Sequence, residues 1–305
     1  MSIKRALAAA SAAGLALTAG GAYAADSLYN LPQGVTPVSH WVYDLHMRTF
    51  WFMVGIAVVV FGAMLISIIF HRKSRGAVAA NFHENIWIEM AWTAAPFIIL
   101  IALAVPAVSV LVKMEDYSKA DMSIKVTGYQ WMWNYDYVDN GISFYSKLAE
   151  DTNTARQLDS KVSPFSVPHY LRDVDHPLVV PTGEKIRLLI TSGDVIHSWW
   201  VPDFGGKTDA IPGYVNQMWI KVEKPGTYRG QCAELCGRDH AFMPIVVVAK
   251  TPEDFRKWVK AEGGHLKAGP QSGAATMNRV RKPAPNAAQP KPPTKPPVEG
   301  SGTTL

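Results

Sequence analysis

The chain has 305 residues, 48% of them hydrophobic, with a formal net charge of +5 and two cysteines. That length holds two ordinary domains, or one domain with sizeable additions. The positive charge does not point to nucleic acid, because it sits at the ends: residues 1–24 carry +2 and residues 251–305 carry +5, whereas residues 113–250 have 15 basic and 17 acidic side chains.

In chain order, residues 1–24 read as a cleaved secretory signal. Lys4 and Arg5 form a charged start, an Ala- and Leu-rich stretch follows, and Ala22-Tyr23-Ala24 gives a small-x-small cleavage pattern. An uncleaved helix is the bland alternative, but this short Ala/Gly-rich stretch would span a bilayer poorly. Export predicts that free thiols oxidise unless a metal holds them.

Residues 25–113 predict an N-terminal segment followed by a transmembrane hairpin, with spans over about 50–70 and 94–112. Neither apolar block has a polar face, and each matches a hydrocarbon core of about 30 Å. The link between them carries Arg72, Lys73 and Arg75. The positive-inside rule therefore puts that link in the cytoplasm and both chain ends in the periplasm of a bacterial inner membrane. Pro96 and Pro106 are tolerated where neighbouring helices satisfy freed backbone groups, so the second span is expected against a larger membrane partner as well as lipid.

Residues 120–250 change character. Short β-type segments fall at 124–138, a run rich in aromatics, at 176–191 around Pro181-Thr182-Gly183, and at 215–222, 226–228 and 245–249. Strands at this spacing predict a β-sandwich or small barrel. Residues 251–262 read as a short amphipathic helix. The remainder, to 305, is Pro/Lys-rich and reads as a disordered tail. No internal repeat is evident.

The chemistry concentrates in Cys232-Ala233-Glu234-Leu235-Cys236-Gly237-Arg238-Asp239-His240-Ala241-Phe242-Met243. Cys236, His240 and Met243 on one loop match the soft donor set of a cupredoxin copper site. Such a site needs a second histidine from an earlier strand, and His197, expected at the end of a strand over 185–196, can supply it. Cys232 is superfluous for one copper ion but is what two ions need if both sulfurs bridge them. The Glu234 backbone carbonyl, between the cysteines, is a weak further donor. Two exported cysteines alone would favour a disulfide, and two cysteines with two histidines could close a zinc site. Methionine is not a normal zinc donor, and a disulfide explains neither histidine, so copper is the better reading.

At these residues the chain resembles subunit II of the haem–copper cytochrome c oxidases, the subunit that holds the copper centre CuA. The resemblance runs over roughly residues 40–250. It includes Gly128-Tyr129-Gln130-Trp131-Met132-Trp133-Asn134-Tyr135-Asp136-Tyr137, Asp194-Val195-Ile196-His197-Ser198-Trp199 and Lys207-Thr208-Asp209-Ala210-Ile211-Pro212-Gly213. It implies a membrane-anchored all-β protein: a two-helix transmembrane hairpin followed by a cupredoxin-like domain. The implied function is transfer of electrons from cytochrome c to CuA and on to haem in subunit I, in a proton-pumping complex that includes subunit III. The implied copper ligands are His197, Cys232, the Glu234 carbonyl, Cys236, His240 and Met243, with the Glu234 carboxylate reaching a magnesium ion at the boundary with subunit I.

The resemblance also makes Trp131 the point where electrons arrive, although a strand tryptophan is ordinarily a core residue. It assigns Asp136, Asp175 and Asp194 to an acidic patch that steers basic cytochrome c, an effect on the rate of encounter. Glu89 falls at the mouth of a proton pathway, where its bland reading is a membrane-edge carboxylate. Two departures from the family pattern stand out: Met132 replaces a common tyrosine, and Gly193 stands where some relatives add an acidic residue. Three other readings are disfavoured. A quinol-oxidase subunit II would lack the copper donors. Nitrous-oxide reductase has a similar copper domain but no such hairpin. No Cys-x-x-Cys-His follows Lys250, so a fused c-type haem is not expected.

Overall fold

The computed structural model describes residues 30–78 and 81–266. The signal reading over 1–24 and the tail reading beyond 266 fall outside the described residues. Helix α1 (Pro37–Phe70) begins at a reciprocal cap, in which the Thr36 hydroxyl accepts from Ser39 N and the Ser39 hydroxyl accepts from Thr36 N, each at 3.0 Å. The helix starts well before the apolar run at 50–70. Its first turns carry His40, Asp44, His46 and Arg48, which suit water or headgroups rather than hydrocarbon. Helix α2 (Ile86–Met114) is capped by Asn85 and contains Pro96 and Pro106.

At 34 and 29 residues these helices are about 51 and 44 Å long. Large apolar side chains on all their sides are exposed. A helix apolar all round needs lipid or other helices against it. Both are long and apolar enough to cross a membrane. The chain is a membrane protein.

The rest is two packed sheets of five strands each. One has the order β3 (Ile142–Ser146), β2 (Met132–Tyr137), β1 (Met122–Tyr129), β5 (Ile186–Ser192) and β8 (Asn216–Ile220). The other has β4 (Leu178–Pro181), β10 (Pro244–Lys250), β9 (Gly226–Cys232), β6 (His197–Trp200) and β7 (Lys207–Ala210). Neighbours run antiparallel except for β1–β5 and β4–β10. Alternate residues turn inward: Ile186, Leu188 and Ile190 on β5, Trp133, Tyr135 and Tyr137 on β2, and Ile245, Val247 and Ala249 on β10. Each fully buried large side chain contributes about 1.5–3 kcal/mol. The Tyr137 hydroxyl also ties the sheets together, donating to Val179 O (2.6 Å) and accepting from Val179 N (2.9 Å). After β10, α4 (Pro252–Ala261) lays Phe255 and Val259 onto the core.

Two sequence expectations change. The aromatic run 124–138 is a hairpin, β1 to β2, with Trp131 at its turn rather than within a strand. The strand expected over 185–196 stops at Ser192, whose hydroxyl accepts from Asp194 N (3.2 Å), and His197 opens β6 in the other sheet. Local hydrophobicity cannot show a chain crossing between sheets.

The hairpin is clamped to the β domain at both of its outer ends. Near α1, Val35 N donates to Asp203 O and Glu223 N to Val35 O, both at 2.9 Å, while the Thr36 hydroxyl donates to Phe204 O at 2.9 Å. Near α2, Trp219 Nε1 donates to Lys113 O (3.2 Å), and Lys185 Nζ donates to Asp116 O (2.6 Å) and Ser118 O (2.9 Å).

Candidate metal centre

The six predicted donors come from two neighbouring strands and one loop. His197 is the first residue of β6 and Cys232 the last of β9. These strands pair, with Trp199 opposite Cys232, and Ala233 N continues the ladder to Ser198 O at 3.0 Å. Glu234, Cys236, His240 and Met243 lie on the loop from β9 to β10.

Cys232 Sγ is 3.9 Å from Cys236 Sγ, 3.9 Å from His197 Nδ1 and 3.4 Å from Glu234 O. Cys236 Sγ is 3.5 Å from His240 Nδ1 and 3.5 Å from Met243 Sδ. The ligand atoms of His197, Cys232 and Cys236 all lie within 4.8 Å of one another, and all three residues are buried. A disulfide requires about 2.05 Å between sulfurs. These are free, buried thiols with further donor atoms beside each. A thioether and a carbonyl beside two thiols and two imidazoles exceed the four N/S donors of a closed zinc site and suit copper.

Burial disfavours charge on both cysteines, with opposite outcomes. For Cys232 it is outweighed by hydrogen bonds from His197 and neighbouring backbone, which pull its thiol below the ordinary value. Burial alone would lower the His197 imidazole, but Cys232 and Asp194 raise it. Both shifts arise from one contact, between the Cys232 thiol and the His197 imidazole. Burial and the adjacent Cys232 push the Cys236 thiol up to about 12. At neutral pH Cys236 keeps its proton and would have to release it to a metal, so any metal uptake here would strengthen as pH rises.

The His197 ring is fully buried and packed edge-on to Trp133, with centroids 5.9 Å apart. It lies over Gly128: a Cβ there would sit 2.8 Å from His197 Cδ2 and 3.0 Å from Cγ. Only glycine at 128 leaves the ring in place. Its Nε2–H donates to Asp194 Oδ1 at 2.9 Å. That leaves Nδ1 as the free donor on the thiol side.

Trp131 is half-buried against the metal loop. A Cβ on Gly237, which has φ of +119°, would lie 3.2 Å from Trp131 Cζ2 and 3.5 Å from its Nε1. The indole thus touches the residue immediately after Cys236. Its Nε1 is buried with no hydrogen-bond partner, and the Arg238 guanidinium lies 5.9 Å from the ring.

The remaining predicted residues lie elsewhere. Asp136 pairs in register with Lys125 on β1, and burial raises its carboxyl above the ordinary value. It stands five residues beyond Trp131, about 17 Å along an extended strand. Asp175 accepts from Lys147 N (2.8 Å) and His176 N (2.7 Å). Glu234 is exposed on the loop. Glu89 lies in the first turn of α2, where its side chain accepts from Asn85 N at 3.2 Å. Position 193 has no room for a carboxylate, because the Tyr129 ring occupies the space of a side chain there.

Sequence reasoning assigned no role to Gln130, Gly128 or Arg156. Gln130 Nε2 donates to Cys236 O at 2.7 Å. Arg156, just beyond the short helix α3 (Glu150–Ala155), braces the loop from outside, 3.8 Å from Asp239 and 4.2 Å above the Phe242 ring. Gly128 and Gln130 sit inside the quoted aromatic run, so their positions were visible. Their contacts depend on strand pairing, which was not.

Comparison with known families matches residues 122–250 to "Cytochrome C oxidase subunit II, periplasmic domain" and residues 24–110 to "Cytochrome C oxidase subunit II, transmembrane domain". The chain is 42% identical over 218 residues to the probable cytochrome c oxidase subunit 2 of Rickettsia prowazekii, which covers 70% of this chain and 66% of that one. It is 40% identical to the Rickettsia bellii protein of the same description, over 74% of this chain and 81% of that one. The solved periplasmic domain of subunit II of cytochrome oxidase from Bradyrhizobium japonicum is 42% identical, with 48% of this chain and 95% of that chain covered and a TM-score of 0.41. With both membrane and β portions matched, the chain belongs to the cytochrome c oxidase subunit II family, whose members are parts of an oxidoreductase complex.

Proposed function

We propose that the chain is the copper-bearing subunit of a proton-pumping cytochrome c oxidase in a bacterial cytoplasmic membrane. In this reading it accepts single electrons from cytochrome c at a binuclear centre, CuA, for relay to haem in subunit I, where oxygen is reduced to water. The observation that carries it is the pair of free thiols 3.9 Å apart with further donors beside each. His197, Cys232, the Glu234 carbonyl, Cys236, His240 and Met243 would hold the metal. When bound, two copper ions held by these donors would supply a one-electron store for the relay.

The protein's part is rigidity and access. Paired strands fix His197 and Cys232, Arg156 braces the loop, and Trp131 carries the contact to the donor. Asp136, Asp175 and Asp194 are assigned to donor docking, and the exposed Glu234 carboxylate to a magnesium ion shared with subunit I. The exposed sides of α1 and α2 take lipid and subunits I and III, with the basic link in the cytoplasm and the β domain in the periplasm. A copper-free subunit of a quinol oxidase is the competing reading, and it gives no reason to bury two free thiols among histidine and methionine donors.

The test is copper analysis and electron paramagnetic resonance on the full-length protein after copper loading. Two ions per chain sharing one unpaired electron are expected. One ion with a mononuclear spectrum, or none, would refute the reading.

Glu89 carries a separate prediction, proton uptake from the cytoplasmic side. Glutamine keeps the acceptor for Asn85 N but cannot exchange a proton. Glu89→Gln should therefore slow turnover of the assembled oxidase while reduction of the copper site by cytochrome c keeps its rate. Unchanged turnover across pH would leave Glu89 as a helix-capping residue only.

A further inference from the structure

Asp194 makes more contacts than a docking carboxylate needs. Its Oδ1 accepts from His197 Nε2 (2.9 Å), Val195 N (2.6 Å) and the Ser192 hydroxyl (3.3 Å), and its Oδ2 accepts from Gln130 N (2.7 Å). Gln130 in turn donates through its side chain to Cys236 O (2.7 Å) and immediately precedes Trp131 in the chain. A continuous hydrogen-bonded path therefore runs from the buried imidazole, through one carboxylate, to the loop that carries the second thiol. It joins three parts of the fold: the turn before β6, the β1–β2 hairpin and the β9–β10 loop. Gly128 and Trp133 close the other sides of the imidazole, so the ring cannot swing to another acceptor.

We propose that Asp194 and Gln130 form a clamp that fixes His197 in the Nε2–H tautomer and holds the Cys236 loop against Trp131, so that Asp194 is a positioning residue of the metal site. This rests on the copper reading above. Three consequences follow from the geometry. With Nε2 protonated and engaged, Nδ1 is the nitrogen turned toward the thiols, as a ligand imidazole oriented by a carboxylate requires. A full negative charge one imidazole away from the metal stabilises the oxidised, more positive state, so removing it should raise the reduction potential. Because the clamp also sets the seat of Trp131, loosening it should disturb the metal and its electron path together.

Asp194→Asn and Asp194→Ala in the full-length protein separate these effects. Asparagine retains an oxygen for Nε2–H without the charge, and alanine retains neither. In the metal-free chain, at a pH where the ring is neutral, nitrogen NMR should find His197 in the Nε2–H tautomer for the parent and the asparagine variant. The alanine variant should give mixed tautomers. After copper loading, Asp194→Asn should keep copper content and shift the potential upward, each tenfold change in the reduced-to-oxidised ratio being about 59 mV for one electron. Asp194→Ala should lose copper or change its resonance spectrum, with asparagine rescuing both.

The clamp is overturned if the parent tautomer is not Nε2–H, or if alanine leaves it unchanged. It is equally overturned if both variants keep the parent's potential and spectrum and alter only the salt dependence of reduction by cytochrome c. That last result would return Asp194 to donor docking alone. A parent chain that takes up no copper would defeat the copper reading, while the tautomer measurement would still decide the clamp.

Discussion

Cys232→Ser is expected to convert the site from two copper ions per chain to at most one, and to replace the shared-electron resonance pattern by a mononuclear, blue-copper-like one. Serine fills nearly the same volume at the end of β9, and the pairing of Trp199 with residue 232 is a backbone matter, so the sandwich should survive. What disappears is the second thiolate. A hydroxyl gives up its proton to a metal far less readily than a thiol already pulled down by His197, and as a hard oxygen donor it is a poor ligand for soft ions. Cys236, His240, Met243 and His197 remain, which is the donor set of a single cupredoxin copper. The chemistry left behind also differs, because burial still raises the Cys236 thiol but the second sulfur 3.9 Å away no longer adds to that rise. Its thiol should then ionise at lower pH, and the one remaining ion should bind at lower pH than the parent pair. Two ions per chain with an unchanged spectrum would show that the sulfurs do not bridge.

How much of this was readable in the sequence depends on the range of the interaction. The cluster of candidate donors was legible because five of the six lie within twelve residues, and soft donors at that spacing have few other uses. The membrane helices were legible because composition alone decides them. Helix starts were not: α1 begins at the Thr36–Ser39 cap, ahead of the apolar run, because a cap and polar first turns leave no hydrophobic trace. Strands β3, β6 and β7, short and partly polar, escaped notice for the same reason, and with them the fact that His197 opens a strand in the opposite sheet from β5. Gly128 and Gln130 were quoted within a motif without a purpose. Their roles exist only once β1 lies over β6 and the hairpin turn reaches the Cys236 loop. Asp194 shows the same limit from the other side. As an isolated exposed acid it suits a docking patch, and only the fold reveals that both its oxygens are already engaged.

Trp131→Phe should leave folding and copper content intact while the rate of copper reduction by cytochrome c falls by orders of magnitude. The structure makes the first half of this expectation firm. Trp131 is at a hairpin turn, half-buried, and its Nε1 bonds to nothing, so phenylalanine deletes no hydrogen bond and relieves a buried donor that costs about 1–3 kcal/mol unsatisfied. The lost packing of the larger ring is of similar size and opposite sign. Neither term threatens a sandwich whose aromatic core is Trp133, Tyr135 and Tyr137 on the following strand. The second half follows from which atoms are removed. Cζ2 and Nε1 are the indole atoms that face Gly237, next to Cys236, and a phenyl ring is too short to reach them. Electron transfer weakens exponentially with the gap through non-bonded space, so withdrawing that edge opens the gap where the donor's electron must cross. Donor binding should change little, because the charges that orient the partner lie on other side chains and act over several ångströms. Measured by rapid mixing at two salt concentrations, the defect should therefore appear in the limiting rate and not in its salt dependence. A variant that fails to fold or loses copper, with its intact fraction reduced at the parent's rate, would make Trp131 a packing residue and move the electron's point of arrival elsewhere on the loop.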